Sequence, residues 1–188
     1  MVEALELVTE WLLCASSQLG RHYFQLPVAG SDAEEAEYRE RVYCYELYHR
    51  WRCHWAEGFP YSLCGEVDKQ GHPLIGGAFK PDFLVHVPGQ MDNLLIVEVK
   101  ANDGKWAGMV NDLKKLTRFR RDLRDQDGNS ANYRGAYFWL YGVSVAEWPA
   151  FRNRLLQEVG ESLEFDRSLV SCFIQERAGT RAVPVPWR

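Results

Sequence analysis

Residues 79–100 read FKPDFLVHVPGQMDNLLIVEVK, and this stretch decides the fold. Phe79 to Val87 and Leu94 to Lys100 are runs rich in β-branched residues on either side of a Pro88-Gly89 turn, the pattern of two strands joined tightly. Tyr61 to Val67, followed by the Gly-, His- and Pro-rich stretch from Gln70 to Gly77, adds a strand before them, which makes a three-strand meander. Outward toward the N-terminus, Leu5, Val8, Leu12 and Leu19, with Trp11 and Ala15 beside them, recur at helical spacing from Val2 to Leu19, and Gly20 supplies a stop. After the breakers at 27–30, Ser31 and Glu34 have the form of a capping box, and the spacing predicts a long second helix to about Trp55. Toward the C-terminus, Trp106, Met109, Val110, Leu113, Leu116 and Phe119 predict a helix from Gly104 to about Arg124. Tyr133 to Tyr141 reads as a strand, Val145 to Val159 as a helix and Ser168 to Ile174 as a last strand. The tail Ala182 to Arg188, with Pro184 and Pro186, reads as extended or mobile. The order is α-α-β-β-β-α-β-α-β, an α/β chain with a mixed central sheet flanked by helices.

At 188 residues the chain fits one domain, 1–188, long enough to bury a core without disulfide or metal staples. Its longest apolar runs fall far short of the roughly 20 residues that span a bilayer, so no membrane partner is expected. Glu3, Glu6 and Glu10 stand where a secretory leader would carry positive charge. Five scattered cysteines without a C-x-x-C pair read as reduced thiols, which together with the absent leader suggests an intracellular, cytoplasmic protein. Cys44, Cys53, His54 and Cys64 fit no common zinc spacing. The formal net charge of -4 argues against a surface that is basic throughout, but leaves room for a local basic site.

The chemistry lies at Pro81-Asp82 and Glu98-Val99-Lys100. Side chains alternate along a strand, so Glu98 and Lys100 share one face while Val97 and Val99 take the other. With the turn centred near Gln90, Asp82 and Glu98 are equidistant from it and face each other across the antiparallel pair. Two carboxylates brought together repel each other and lose hydration, and a divalent cation between them removes both penalties. Mg²⁺, with Mn²⁺ able to substitute, prefers such hard oxygen donors completed by waters and phosphate oxygens. Lys100 beside it could orient or help deprotonate a water, or act as a point charge on a phosphorus transition state.

Pro81-Asp82, fifteen residues, then Glu98-Val99-Lys100 resembles the signature of the PD-(D/E)XK nuclease superfamily, whose fold is restriction-endonuclease-like. The likeness covers about Tyr38 to Tyr141, and leaves 1–30 as an N-terminal helical extension and 182–188 as an extended tail. The resemblance implies a three-layer core and a metal-dependent nuclease hydrolysing phosphodiester bonds, with DNA the expected nucleic acid. It implies Asp82 and Glu98 as metal ligands, the Val99 backbone carbonyl as a further one, and Lys100 as the catalytic lysine. The alternative is a non-catalytic or partner-dependent nucleic-acid-binding or assembly subunit of the same fold.

Further residues have two readings each. Val42, Glu46, His49 and Cys53 form one stripe of the second helix, and members of the superfamily often carry a helical glutamate that completes the metal site, which would be Glu46. Periodicity equally allows a Glu46–Arg50 ion pair on a solvated face. Glu66 and Asp68 share a face at the end of the first meander strand, but the Lys69-Gln70-Gly71 turn assigns them to a hairpin. His72 and His86 are assigned structural roles. Lys114, Lys115 and Arg118 belong to the densest basic segment and are the candidates for phosphate contacts, against a plain solvated helix face. Tyr133, Tyr137, Trp139 and Tyr141 could stack on bases, but their alternation assigns them to the core. With no separate recognition domain, target choice would come from loops, a homodimer or a protein partner.

Overall fold

The computed structural model describes residues 2–27, 36–65 and 80–188. Helix α1 (Val2–Ser16) and the short α2 (Arg21–Phe24) lead into β1 (Leu26–Pro27), which pairs antiparallel with β2 (Ala36–Glu37). Helix α3 (Glu40–Arg52) follows, then β3 (Ser62–Gly65), β4 (Phe83–His86), β5 (Asn93–Ala101), α4 (Trp106–Arg121), β6 (Gly135–Tyr141), α5 (Trp148–Val159), β7 (Ser171–Gln175) and β8 (Val183–Val185). The main sheet runs β3-β4-β5-β6-β7-β8 in chain order. β3, β4 and β5 are the antiparallel meander, β5, β6 and β7 are parallel, and β8 closes the sheet antiparallel to β7.

The two parallel steps explain where the helices lie. Each needs a crossover, and two right-handed crossovers stepping the same way along a sheet put both helices on one face. α4 and α5 accordingly cover one face, against Leu84, Ile96, Ala136, Phe138, Leu140, Cys172 and Ile174. The alternate residues Phe83, Val85, Val97, Val99, Tyr137, Trp139, Tyr141 and Phe173 turn to the other face, under α1, α2 and α3. The central strands are buried on both sides, as the apolar runs Leu94–Val97 and Ala136–Tyr141 require. α1 belongs to this packing: Val8 and Leu12 are fully buried, and the Trp51 indole donates to the Val8 carbonyl at 3.2 Å.

The expected second helix begins later than its periodicity suggested. The capping pair Ser31 and Glu34 lies outside the described residues, and Ala36–Glu37 is extended against Leu26–Pro27. Tyr38 then wedges its ring edge-on against Phe24 and Tyr141, and the helix starts only at Glu40. Gly142, just past β6, has φ +81°, and a side chain there would meet the Tyr38 ring, so this turn requires glycine.

The tail is extended, as one of its two readings had it, and it is docked. Pro184 sits opposite Phe173 on the edge strand, where a missing N–H is tolerated. The Trp187 indole donates to the Val170 carbonyl at 2.7 Å and packs against Trp148 and Phe165. A buried polar knot ties the other face together. Trp139 donates to the Tyr43 hydroxyl, which donates to Gln175, whose amide donates to the carbonyls of Ser16 and Thr180. Among the described residues no helix is long and apolar enough to cross a membrane.

Candidate metal and phosphoryl-transfer site

The site is built at the carboxyl end of β5, where the meander meets the parallel half of the sheet. The register Phe83↔Val97 and Leu84↔Ile96 makes Asp82 and Glu98 the next pair outward, as a count from a turn centred near Gln90 predicted, although the ladder comes into that register only through a one-residue shift between Val85 and His86. The β4 ladder stops there, leaving the Val99 N–H without a strand partner on that edge. The Asp82 carboxylate takes that place and accepts the Val99 N–H at 2.7 Å. A strand residue directs its N–H and C=O to the same edge, so the Val99 carbonyl faces the same opening past the end of β4.

Glu98 and Lys100 lie on the α4 side of β5, and α4 meets them with charge. Asp112 and Lys115 are one helical turn apart, and their side chains are only 11% and 14% exposed. Lys115 Nζ lies 2.7 Å from Glu98 Oε1 and 2.9 Å from Asp112 Oδ1. Lys100 Nζ lies 3.2 Å from Asp112 Oδ2 and 2.9 Å from Glu40 Oε1 at the first turn of α3. The order Glu40, Lys100, Asp112, Lys115, Glu98 is thus a chain of alternating charge, with Asp82 alongside it. Four carboxylates share the site with two ammonium groups, an excess of two negative charges among these side chains.

That excess is visible in the acidities. Burial, reinforced by the charges of Glu40 and Asp112, raises Asp82 to about 6, although the Val99 N–H and Lys100 pull the other way. Burial, with Asp112 and Asp82 nearby, pushes Glu98 well above the usual carboxylate range. Burial works against the Lys100 ammonium, but Asp112, Glu40 and Asp82 outweigh it and hold the group above the ordinary lysine value. Lys115 is raised for the same reason by Glu98 and Asp112. A buried network of this kind adds little to stability, because removing charges from water costs about what their attraction returns. Shifted acidities of this type cluster where protein groups do chemistry.

The donor chemistry of Asp82 and Glu98 suits a hard divalent cation, whose charge matches the excess. Among the described residues no three His, Cys, Asp or Glu side chains already gather round a common point. Lys100 and Lys115 instead stand among the carboxylates and neutralise part of their charge.

Asp82, Glu98 and Lys100 converge, as their spacing suggested. Glu46 pairs with Arg50, its carboxylate accepting from Nε at 2.7 Å, but it is buried and not on the solvated face expected for that pair. The α3 carboxylate on Lys100 is Glu40. It lies on the continuation of the buried stripe Tyr43, Cys44, Leu47 and Trp51, whereas the stripe counted through Val42 and Glu46 ends on the exposed His49 and Cys53. Asp112 was also legible in principle, because it falls within the apolar arc Met109, Leu113, Leu116 of α4. Of the basic candidates, Lys115 belongs to the acid cluster itself, and Lys114 pairs with Glu164 at 2.7 Å. Lys114, Lys115 and Arg118 do line a common groove on α4. Tyr133, Tyr137, Trp139 and Tyr141 are buried in the core, and His86 lies at the far end of β4 from Asp82. Glu66, Asp68 and His72 lie outside the described residues.

Comparisons with protein-family models, with curated proteins and with solved structures find no match to this chain.

Proposed function

We propose that this chain is a metal-dependent phosphodiesterase of restriction-endonuclease-like type that hydrolyses nucleic acid, with DNA as the first substrate to test. The observation that carries the reading is the pairing of half-buried Asp82 with buried Glu98 across the end of the β4–β5 ladder, with Lys100 one pleat further on and a carboxylate excess around them. A Mg²⁺ or Mn²⁺ ion held there would supply a polarised water and positive charge for the phosphorus centre and the leaving oxygen. Asp82 and Glu98 are the side chains that would hold it, with the Val99 carbonyl directed to the same opening.

The roles of the chain's own residues follow from their surroundings. The Val99 N–H fixes one carboxylate oxygen of Asp82 and leaves the other for a ligand. Lys100 is held protonated by its carboxylate neighbours, which favours a point charge that orients water and stabilises the phosphorane-like transition state over a general base. Glu40 and Asp112 grip that ammonium from two helices and keep it in place.

The test is a panel of single-stranded, duplex and branched DNA and RNA substrates with Mn²⁺, run on the wild type and on Lys100→Ala. The expected result is chelator-sensitive cleavage that drops by roughly 10²–10³-fold in the variant, the loss of one charge that stabilises the transition state. A wild type that binds neither Mg²⁺ nor Mn²⁺, with background nicking unchanged by Lys100→Ala, overturns the proposal.

A further inference from the structure

Lys115 belongs to two environments at once. Inward, its ammonium is 2.7 Å from Glu98 and 2.9 Å from Asp112, within the cluster whose excess charge is negative. Outward, the same side chain lines a groove of about 540 Å³ on α4, together with Asn111, Lys114, Arg118, Arg121 and Glu164. With Lys115 assigned to the acid cluster, three cations, Lys114, Arg118 and Arg121, line that groove against the carboxylates of Asp122 and Glu164, so cations still outnumber carboxylates there. Lys114 already neutralises Glu164, and Arg121 Nε lies 3.2 Å from Asp122. Among the described residues Lys115 is the side chain that the acid cluster and the groove share.

The Glu98 carboxylate is the group on which this geometry turns. A cation between Asp82 and Glu98 needs that carboxylate's negative charge, and Lys115 now neutralises it through Oε1. Polyanion backbone in the groove would draw the ammonium the other way, and lysine's flexible four-carbon stem allows the swing. We propose that Lys115 couples the two sites: a phosphodiester backbone lying in the α4 groove pulls the ammonium off Glu98 and so opens Glu98 to the divalent cation. Lys115 is then a positioning residue, which stands in for the cation until substrate arrives. The inference rests on the nuclease reading above and deepens it by making metal affinity depend on the presence of substrate. Linkage requires the converse as well, so the cation must tighten the hold on the backbone by the same factor.

The experiment measures Mn²⁺ binding by electron paramagnetic resonance at mildly alkaline pH, with and without a short phosphorothioate DNA duplex. It is run on the wild type, Lys115→Met and Glu98→Gln, and the Glu98→Gln trace is subtracted to remove Mn²⁺ held by the duplex. The expected result is a wild-type site that gains about tenfold or more in Mn²⁺ affinity when the duplex is added. Lys115→Met should show the tighter affinity without the duplex and gain less than about twofold from it. Lys115→Gln is run beside it, so that one of the two reports if the other is unstable, and a Lys115 variant that gains as much from the duplex as the wild type overturns the coupling. A wild type that binds Mn²⁺ with one affinity, with or without duplex, overturns the coupling and leaves the nuclease reading standing. Absence of Glu98-dependent Mn²⁺ binding under every condition overturns both.

Discussion

Replacing Asp82 by Asn should make this protein more stable at neutral pH while removing its proposed function. Asp82 has a pKa near 6 against an ordinary value of 3.8. Between those two values the folded protein holds a proton that the unfolded chain has released. The stability this group contributes is therefore complete below pH 3.8 and is lost as the pH rises through about 6. A shift of roughly two units at about 1.4 kcal/mol each makes the ionised form cost about 3 kcal/mol. Asn removes the charge, and its amide oxygen can still accept the Val99 N–H that Asp82 now accepts at 2.7 Å. Thermal unfolding of the two proteins should coincide near pH 4 and diverge as the pH rises. At about 2–4 °C per kcal/mol, Asp82→Asn should melt up to roughly 6–12 °C higher at pH values well above 6. Adding Mg²⁺ at the higher pH should then raise the wild type alone, because the cation removes the repulsion that Asn has already relieved. A difference in melting temperature that is the same at acid and neutral pH would refute the reasoning, since the penalty would then not be electrostatic.

Four further substitutions separate the site from its surroundings. Glu40→Gln weakens the grip on Lys100 and should slow cleavage about tenfold, the worth of one charge-assisted hydrogen bond, whereas Glu46→Gln should stay within about twofold because Glu46 answers to Arg50. Equal losses in a single-turnover assay would contradict this division. Trp187→Ala should cost about 3–5 kcal/mol in urea unfolding, because the indole is buried against Trp148 and Phe165. A loss below about 1 kcal/mol would mean that the tail is not docked. Gln175→Leu strands the Tyr43 hydroxyl proton and the Ser16 and Thr180 carbonyls, and should cost about 2–4 kcal/mol by the same measurement. An unchanged unfolding midpoint would show that the buried knot contributes nothing.

Local patterning by itself determined the elements between residues 61 and 175, because strand alternation and helical periodicity are short-range consequences of having one or two faces to bury. Counting from a turn centred near Gln90 also put Asp82 opposite Glu98, but the ladder reaches that register only through a one-residue shift between Val85 and His86, which local patterning did not show. What lay beyond it was every choice made by contact between distant elements. The start of α3 moved to Glu40 because Ala36–Glu37 pairs with Leu26–Pro27 and Tyr38 packs on Tyr141, partners that no window of helical period contains. Glu40 and Asp112 entered the site for the same reason: periodicity puts each on the buried stripe of its helix without saying what it meets there, and only the seating of α3 and α4 on opposite faces of β5 aims both at Lys100. Lys115 shows the difference most sharply. In the sequence it is one cation in a basic run, and in the folded chain it is the counter-ion of the carboxylate at the centre of the site, because the α4 crossover lays that one turn of helix over Glu98.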